Sequence, residues 1–251
     1  MNRPLAGQVA VVTGASLGVG RAAALALAQA GADLVICARG HEIVAVAREA
    51  KALGARVLAR RCDIADRAAV RSWLRAAARQ FGRLDVLVNN AAALGPRVAI
   101  SHLPAAEFTR VMNVNVGGVL HATQATLEFS MLKRRAGIII NISSGVGRVG
   151  SAGGSAYAIS KFAVEGFTQV AAAELRETGI SVCSLNPGVT RTRMRAAWAP
   201  GEDPMTLKPP ESLGQHFIAL AASAAACAGR CYGVTSAGAL VELEPPSGRP
   251  I

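Results

Sequence analysis

The chain has 251 residues, 51% of them hydrophobic and 17% charged, with a formal net charge of +11 from 27 Lys+Arg against 16 Asp+Glu. That hydrophobic content excludes a disordered chain, and no apolar run reaches the ~20 residues of a membrane-spanning helix. The basic residues are spread along the chain and aromatics make up only 4%, which argues against a nucleic-acid partner, and five scattered cysteines (Cys37, Cys62, Cys183, Cys227, Cys231) present neither a disulfide framework nor the paired spacing of a zinc site.

The start, Met1 to Gly7, has no signal-peptide organisation and leads directly into a strand, so the cytoplasm is the expected location. Gln8–Thr13 reads as a buried strand and Arg21–Ala30 as a helix stopped by Gly31. Asp33–Cys37 is the second strand and Glu42–Leu53 the second helix; Arg56–Ala59 is the third strand. Asp66 is placed to cap a helix over Arg67–Gln80. Leu84–Val88 is the fourth strand, and a long helix over Ala105–Lys133 starts behind Pro104. Ile138–Ile142, the helix Ser155–Thr178, the strand Ile180–Leu185, a last helix Glu211–Ala226 and a short strand Tyr232–Thr235 complete the series. Strands that alternate with helices and read as unbroken apolar runs belong to a parallel sheet covered on both faces. The expected fold is therefore α/β, a doubly wound, Rossmann-like sheet of about seven strands. No linker divides the chain, so one domain is expected. Thr190 to Pro210 reads as a long irregular insertion over the substrate, and the tail from Glu244 to Ile251 as frayed.

Chemistry concentrates in a few places. The first strand is followed by Thr13-Gly14-Ala15-Ser16-Leu17-Gly18-Val19-Gly20. Glycines there let backbone N–H groups approach a pyrophosphate at a helix N-terminus, or simply let helix pack on strand. The second strand ends in Cys37-Ala38-Arg39-Gly40, where NAD binders carry a carboxylate for the ribose. Arg39 in that place favours the 2′-phosphate of NADP over NAD, unless it is one more surface arginine. Tyr157 and Lys161 share a helical face one turn apart, and an ammonium beside a phenol favours the phenolate.

These motifs, with Asn89-Asn90-Ala91 after the fourth strand, Asn115, Ser144 thirteen residues before Tyr157, and Asn186-Pro187-Gly188 after the sixth strand, resemble those of a short-chain dehydrogenase/reductase from about residue 7 to 235. The resemblance implies an oxidoreductase moving a hydride between NADP(H) and a carbonyl/alcohol substrate. Asn115, Ser144, Tyr157 and Lys161 would be its catalytic residues. Tyr157 would exchange the proton, Ser144 would stabilise the substrate oxygen, and Lys161 would lower the tyrosine pKa and hold the nicotinamide ribose. Asn115, for which Asn113 is a rival, would hold a water linking Lys161 to solvent. The implied cofactor contacts are Gly14, Ser16, Leu17, Gly18, Gly20, Arg39, Asp63 (otherwise a helix cap), Asn90, Ala91, Tyr157, Lys161, Pro187, Gly188, Val189 and Thr192, with no metal. Ser144 otherwise reads as a turn-former. A homo-oligomer, tetramer or dimer, would pair through the two long helices.

Two departures stand out. Ala92 occupies the place of a family glycine, and a left-handed backbone there would strain it. The ending Gly233-Val234-Thr235-Ser236-Ala237-Gly238 lacks the usual Asp-Gly-Gly. The competing reading is an NADP-binding regulator or scaffold of the same fold without turnover. For the substrate, Met194 and Trp198 with Arg191, Arg193 and Arg195 suggest an apolar body carrying an anionic group.

Overall fold

The computed structural model describes residues 3–244; the tail beyond Glu244 lies outside the described residues. The elements are β1 (Val9–Thr13), α1 (Gly18–Gln29), β2 (Asp33–Ala38), α2 (Ile43–Ala52), β3 (Val57–Arg61), α3 (Arg67–Phe81) and β4 (Val86–Asn89). A helical rod follows, made of α4 (Ala105–Met112), α5 (Gly118–Thr126) and α6 (Leu132–Arg134). Then come β5 (Gly137–Ile142), α7 (Ser155–Glu174), β6 (Ile180–Asn186), α8 (Arg193–Trp198), α9 (Gly214–Ala222), β7 (Cys231–Val234) and β8 (Leu240–Leu243).

The strands form one sheet in the order β3-β2-β1-β4-β5-β6-β7-β8. Every neighbouring pair is parallel except β7 and β8. Side chains alternate across it. Ala10, Val12, Leu34, Ile36, Ile138 and Ile140 pack on one side with Leu27 of α1, Val46 of α2 and Phe217 of α9. Val9, Val11, Val35 and Ile139 pack on the other with Trp73 and Leu74 of α3 and Ala122 of α5. Both faces are therefore apolar, which is why the strands read as unbroken apolar runs. Truncating a buried side chain such as Leu27 or Leu74 to alanine costs about 2–5 kcal/mol.

Polar groups pin the two ends of the sheet. At the lower end Asp85 accepts from the Val9 backbone N–H at 2.8 Å, from Arg83 Nε at 2.7 Å and from Arg134 Nη1 at 2.6 Å. Burial pushes the Asp85 pKa up, but these hydrogen bonds outweigh it and hold the carboxyl below its usual range. Within the sheet, Asn89 Nδ2 donates to Asn141 Oδ1 at 2.8 Å, and Asn141 Nδ2 donates to Thr168 Oγ1 on α7 at 2.9 Å.

Several boundaries differ from expectation. The sheet has an eighth, antiparallel strand, β8. The first helix begins at Gly18, three residues before Arg21, because the glycine turn runs straight into helical backbone. The rod from 105 is not uniform: π-helical stretches at Asn113–Gly117 and Leu127–Met131 interrupt it. Asp66 does cap α3, accepting from the Ala69 N–H at 3.0 Å. Helix α7 ends at Glu174, short of Thr178, whose hydroxyl instead donates to Leu175 O at 2.7 Å. The last helix is split into a 3-10 turn at Pro210–Leu213, α9, and a second 3-10 turn at Ala224–Cys227. The insertion from Thr190 to Pro210 is ordered by its own contacts. Thr190 and Lys208 form an isolated bridge at its base, Thr192 caps α8, and Arg195 grips Glu202 with two hydrogen bonds of 2.5 and 2.7 Å.

Candidate active site

In an open parallel sheet a ligand crevice opens where chains leave neighbouring strands in opposite directions. Here β1 is flanked by β2 and β4, and the loops after β1, β4, β5 and β6 line a cleft of about 820 Å³. The turn after β1 needs its glycines. Gly14 has φ +67°, and a Cβ on it would lie 2.8 Å from Ala91 Cα. A Cβ on Gly20 would lie 2.3 Å from Asn90 Nδ2, which donates to Thr13 O at 2.9 Å and to Gly14 O at 3.1 Å. Thr13 Oγ1 accepts from the N–H groups of Asn90 and Ala91 at 3.0 and 3.1 Å. Asn90 and Ala91 thus brace the turn. Ala92 is not among the described non-glycine residues with positive φ, so the strain expected of it is absent.

Helix α1 has no side-chain cap and no acidic residue in its first turn. Its leading N–H groups lack intrahelical partners, and Ser16, Leu17 and Gly18 line the cleft beside them. That donor set fits a diphosphate. Arg39 is exposed at the cleft edge. Asp63 also lines the cleft, and its Oδ1 accepts from the Ala65 N–H at 3.0 Å, so the carboxylate shapes the turn after β3.

Tyr157, Lys161 and Ser144 meet at the end of β5. Lys161 is buried, and its Nζ donates to Ile142 O at 2.7 Å and lies 5.6 Å from the Tyr157 ring centroid. Burial pushes its pKa down to about 8 against the opposing pull of Glu165. Tyr157 departs from expectation. Burial raises its pKa, and the nearby Ser144 hydroxyl offsets this only in part. The Lys161 ammonium is anchored on the Ile142 carbonyl, beneath the ring. Ser144 stands in extended backbone at the head of a 3-10 turn, Gly145–Gly147. Gly147 brings that turn tight against α7, since a Cβ on it would lie 2.8 Å from Lys161 O.

Asn115 lies in the first π-helical stretch and is buried behind this group. Its Oδ1 accepts from the Ala93 N–H at 2.7 Å, and its Nδ2 donates to Ala93 O at 2.9 Å and Ser160 Oγ at 2.8 Å. The side chain fastens the loop after β4 to α7. On this geometry its side chain is a positioning group.

On the β6 side, Pro187, Gly188, Val189 and Thr192 line the cleft. Gly188 has φ +66°, and a Cβ there would lie 2.4 Å from Val234 O and 2.9 Å from Lys208 Nζ. Lys208 itself donates to Val234 O and Thr235 O at 3.1 and 3.0 Å, a clamp at the base of the lid with no motif to reveal it. The lid arginines do not gather into an anion site. Arg195 holds Glu202, Arg191 reaches Met205 Sδ at 3.4 Å, and Arg193 lies 4.0 Å from Glu42 across the cleft. Glu165 was not legible as part of the site. It is buried one turn beyond Lys161 and accepts from Ser184 Oγ at 2.9 Å and Cys231 Sγ at 3.3 Å. Its i+4 spacing from Lys161 was the available signal. Among the described residues no cluster of metal-binding side chains occurs, and no helix is long and apolar enough to cross a membrane.

The chain matches the short chain dehydrogenase family over residues 8–203. It is 35% identical over 193 residues to an NADPH-dependent pterin aldehyde reductase of Arabidopsis thaliana, covering 77% of this chain and 79% of that one. The crystal structure of a short chain dehydrogenase from Salmonella enterica serovar Typhi superposes with a TM-score of 0.88 at 34% identity, covering 93% of this chain and 98% of that one. A putative short chain dehydrogenase from Escherichia coli CFT073, complexed with NADPH, superposes with a TM-score of 0.85 at 33% identity, covering 92% and 98%.

Proposed function

The chain belongs to the short chain dehydrogenase family, and we propose that it is an NADP-dependent oxidoreductase that interconverts a carbonyl and an alcohol with Tyr157 as acid and base. The observation that carries this reading is the meeting of Tyr157, Ser144 and buried Lys161 at the end of β5, in the same cleft as the uncapped start of α1. NADP suits the residues present. The α1 N–H groups would take its diphosphate, Arg39 its 2′-phosphate, and Asn90, Ala91, Pro187, Gly188, Val189 and Thr192 would line the rest of its path. The NADPH complex of the Escherichia coli relative supports this choice.

When bound, the nicotinamide supplies or accepts the hydride. The protein handles the proton. In reduction, the substrate oxygen is held between Ser144 Oγ and Tyr157 Oη, and Tyr157 gives its proton to that oxygen as the alcohol forms. The phenol, protonated at neutral pH as tyrosine ordinarily is, is the acid for the carbonyl oxygen. Ser144 stabilises the charge developing on the oxygen. Lys161, a cation under the ring, steadies the phenolate left behind, and Asn115 and Ser160 hold α7 in register. In oxidation the same groups act in reverse.

The whole chain acts as one domain, and the lid from Thr190 to Pro210 covers the substrate. Leu120, Leu132, Phe162 and Val170 leave apolar surface on α5, α6 and α7, which supports pairing of those helices in a homo-oligomer. The protein works on a small molecule in the cytoplasm. Replacing Tyr157 by Phe tests the reading. NADPH oxidation with a panel of ketones and aldehydes should fall by about 10²–10⁴-fold while NADPH still binds. Equal turnover by wild type and Tyr157→Phe would remove the assigned proton donor.

A further inference from the structure

The lid carries one tryptophan, and three separate segments hold it. Trp198 ends α8, and its ring centroid lies 5.8 Å from that of Tyr157, the planes tilted by 54°. Arg97, in the loop after β4, places its guanidinium 4.7 Å from the Trp198 ring centroid and donates from Nη1 to Trp198 O. Gly154, just before α7, leaves room for the ring: a Cβ there would come within 3.2 Å of Trp198 Cη2. The loop is itself tied to α7, because Ser155 Oγ donates to Val98 O. Among the described residues Arg97 pairs with no carboxylate, so what its side chain touches is the Trp198 ring and carbonyl.

The cleft that the ring lines has apolar members as well. Trp198 lines the cleft together with Leu94, Val146, Val189 and Met194. The charged wall of the cleft, Arg39, Glu42 and Asp63, follows β2 and β3, three or more strands from β5. At roughly 4.8 Å per strand that wall stands about 14 Å away. Arg191, Arg193 and Arg195 face Met205, Glu42 and Glu202, so no lid cation is turned to the substrate end.

We propose that Trp198, positioned by Arg97, is the specificity wall of the substrate site, selecting a carbonyl or alcohol carried on or beside a ring over a short linear one. The inference rests on the hydride-transfer reading above. A flat or cyclic group beside the reacting carbon gains contact with the indole face next to Tyr157; a short chain leaves that face uncovered. Arg97 has no path to the substrate except through the ring it holds.

The test is the ratio of kcat/KM for benzaldehyde to that for propanal, with NADPH. Trp198→Ala lowers this ratio by about 10-fold or more, mainly through KM for benzaldehyde, and Trp198→Phe keeps it within about threefold. Arg97→Gln lowers it by about threefold or more, yet changes nothing further in the Trp198→Ala background. An unchanged ratio in Trp198→Ala, or independent effects of the two substitutions, overturns the proposal. If wild type reduces no carbonyl, the oxidoreductase reading falls, and the wall is read separately. The chain has 2 tryptophans, so 15N-tryptophan labelling of the full chain yields two indole signals, and Trp198→Phe assigns them. Benzyl alcohol moves the Trp198 signal and propanol does not; equal response to both overturns the proposal without any turnover.

Discussion

Replacing Glu165 by Gln isolates the electrostatics beneath Tyr157. Lys161 is a useful cation only while protonated, and burial has brought its pKa from 10.5 to about 8. The cation is therefore populated below about pH 8 and lost above it, so turnover that depends on it declines as pH rises through that value. Glu165 pulls the other way, favouring the cation. The two residues are one helical turn apart, about 6 Å at their Cβ atoms. At that separation and an effective dielectric of about 20, a unit charge pair is worth about 3 kcal/mol, or roughly two pH units. Glutamine keeps the shape and an acceptor for Ser184 Oγ while removing the charge. The alkaline limb of kcat/KM for NADPH, measured with saturating ketone, should move down by about one to two pH units. At about pH 7.5 the variant should turn over roughly tenfold more slowly than wild type, and near about pH 5 the two should agree closely. A limb that stays at its wild-type position would refute the assignment of Lys161 as the group that titrates there, and with it the role of the buried carboxylate.

Arg39→Gln removes a charge-assisted contact of about 1.5–3 kcal/mol, so NADPH should bind about 10–100-fold more weakly while NADH is little affected; equal losses for both would count against a 2′-phosphate site. Gly20→Ala places a methyl 2.3 Å from both Asn90 Nδ2 and Gly14 O, and should cost about 1–3 kcal/mol in thermal melts while weakening NADPH binding. Asp85→Asn should destabilise the protein by about 2 kcal/mol, lowering Tm by roughly 4–8 °C. Because the Asp85 pKa is held below its unfolded value, its contribution is present above about pH 4 and lost as pH falls through the folded value. Wild type should therefore lose more stability than Asp85→Asn on acidification below about pH 4, read by denaturant melts.

The parts of the fold that were legible are those set by one strand or helix alone. β1, β4 and β5 are apolar on both faces, and such runs have few other uses. β8 was not legible because Leu240–Leu243 is half-exposed, carries Glu242, and exists by pairing with β7 after a turn that Thr235 closes with two hydrogen bonds to Ala239 and Gly238. The π-helical stretches were hidden for a related reason. A shift of one hydrogen-bond step leaves residue types unchanged, so the run from 105 to 133 reads as a plain helix. In the lid, the prolines masked an order created by Arg195 and Glu202, seven residues apart.

The same division runs through the site. Tyr157 and Lys161 are neighbours by helical spacing, so their meeting could be read directly. The direction of the tyrosine shift could not, because it depends on which partner the lysine takes. Its Nζ takes the Ile142 carbonyl, nineteen residues away on β5, and burial then governs both groups. Desolvation raises the tyrosine pKa and lowers that of the lysine. Trp198 and Arg97 carry the point further: 101 residues separate them, and neither belongs to any motif. Residue types at local spacing point to the chemistry, whereas the walls of the site depend on contacts that only the folded sheet brings together.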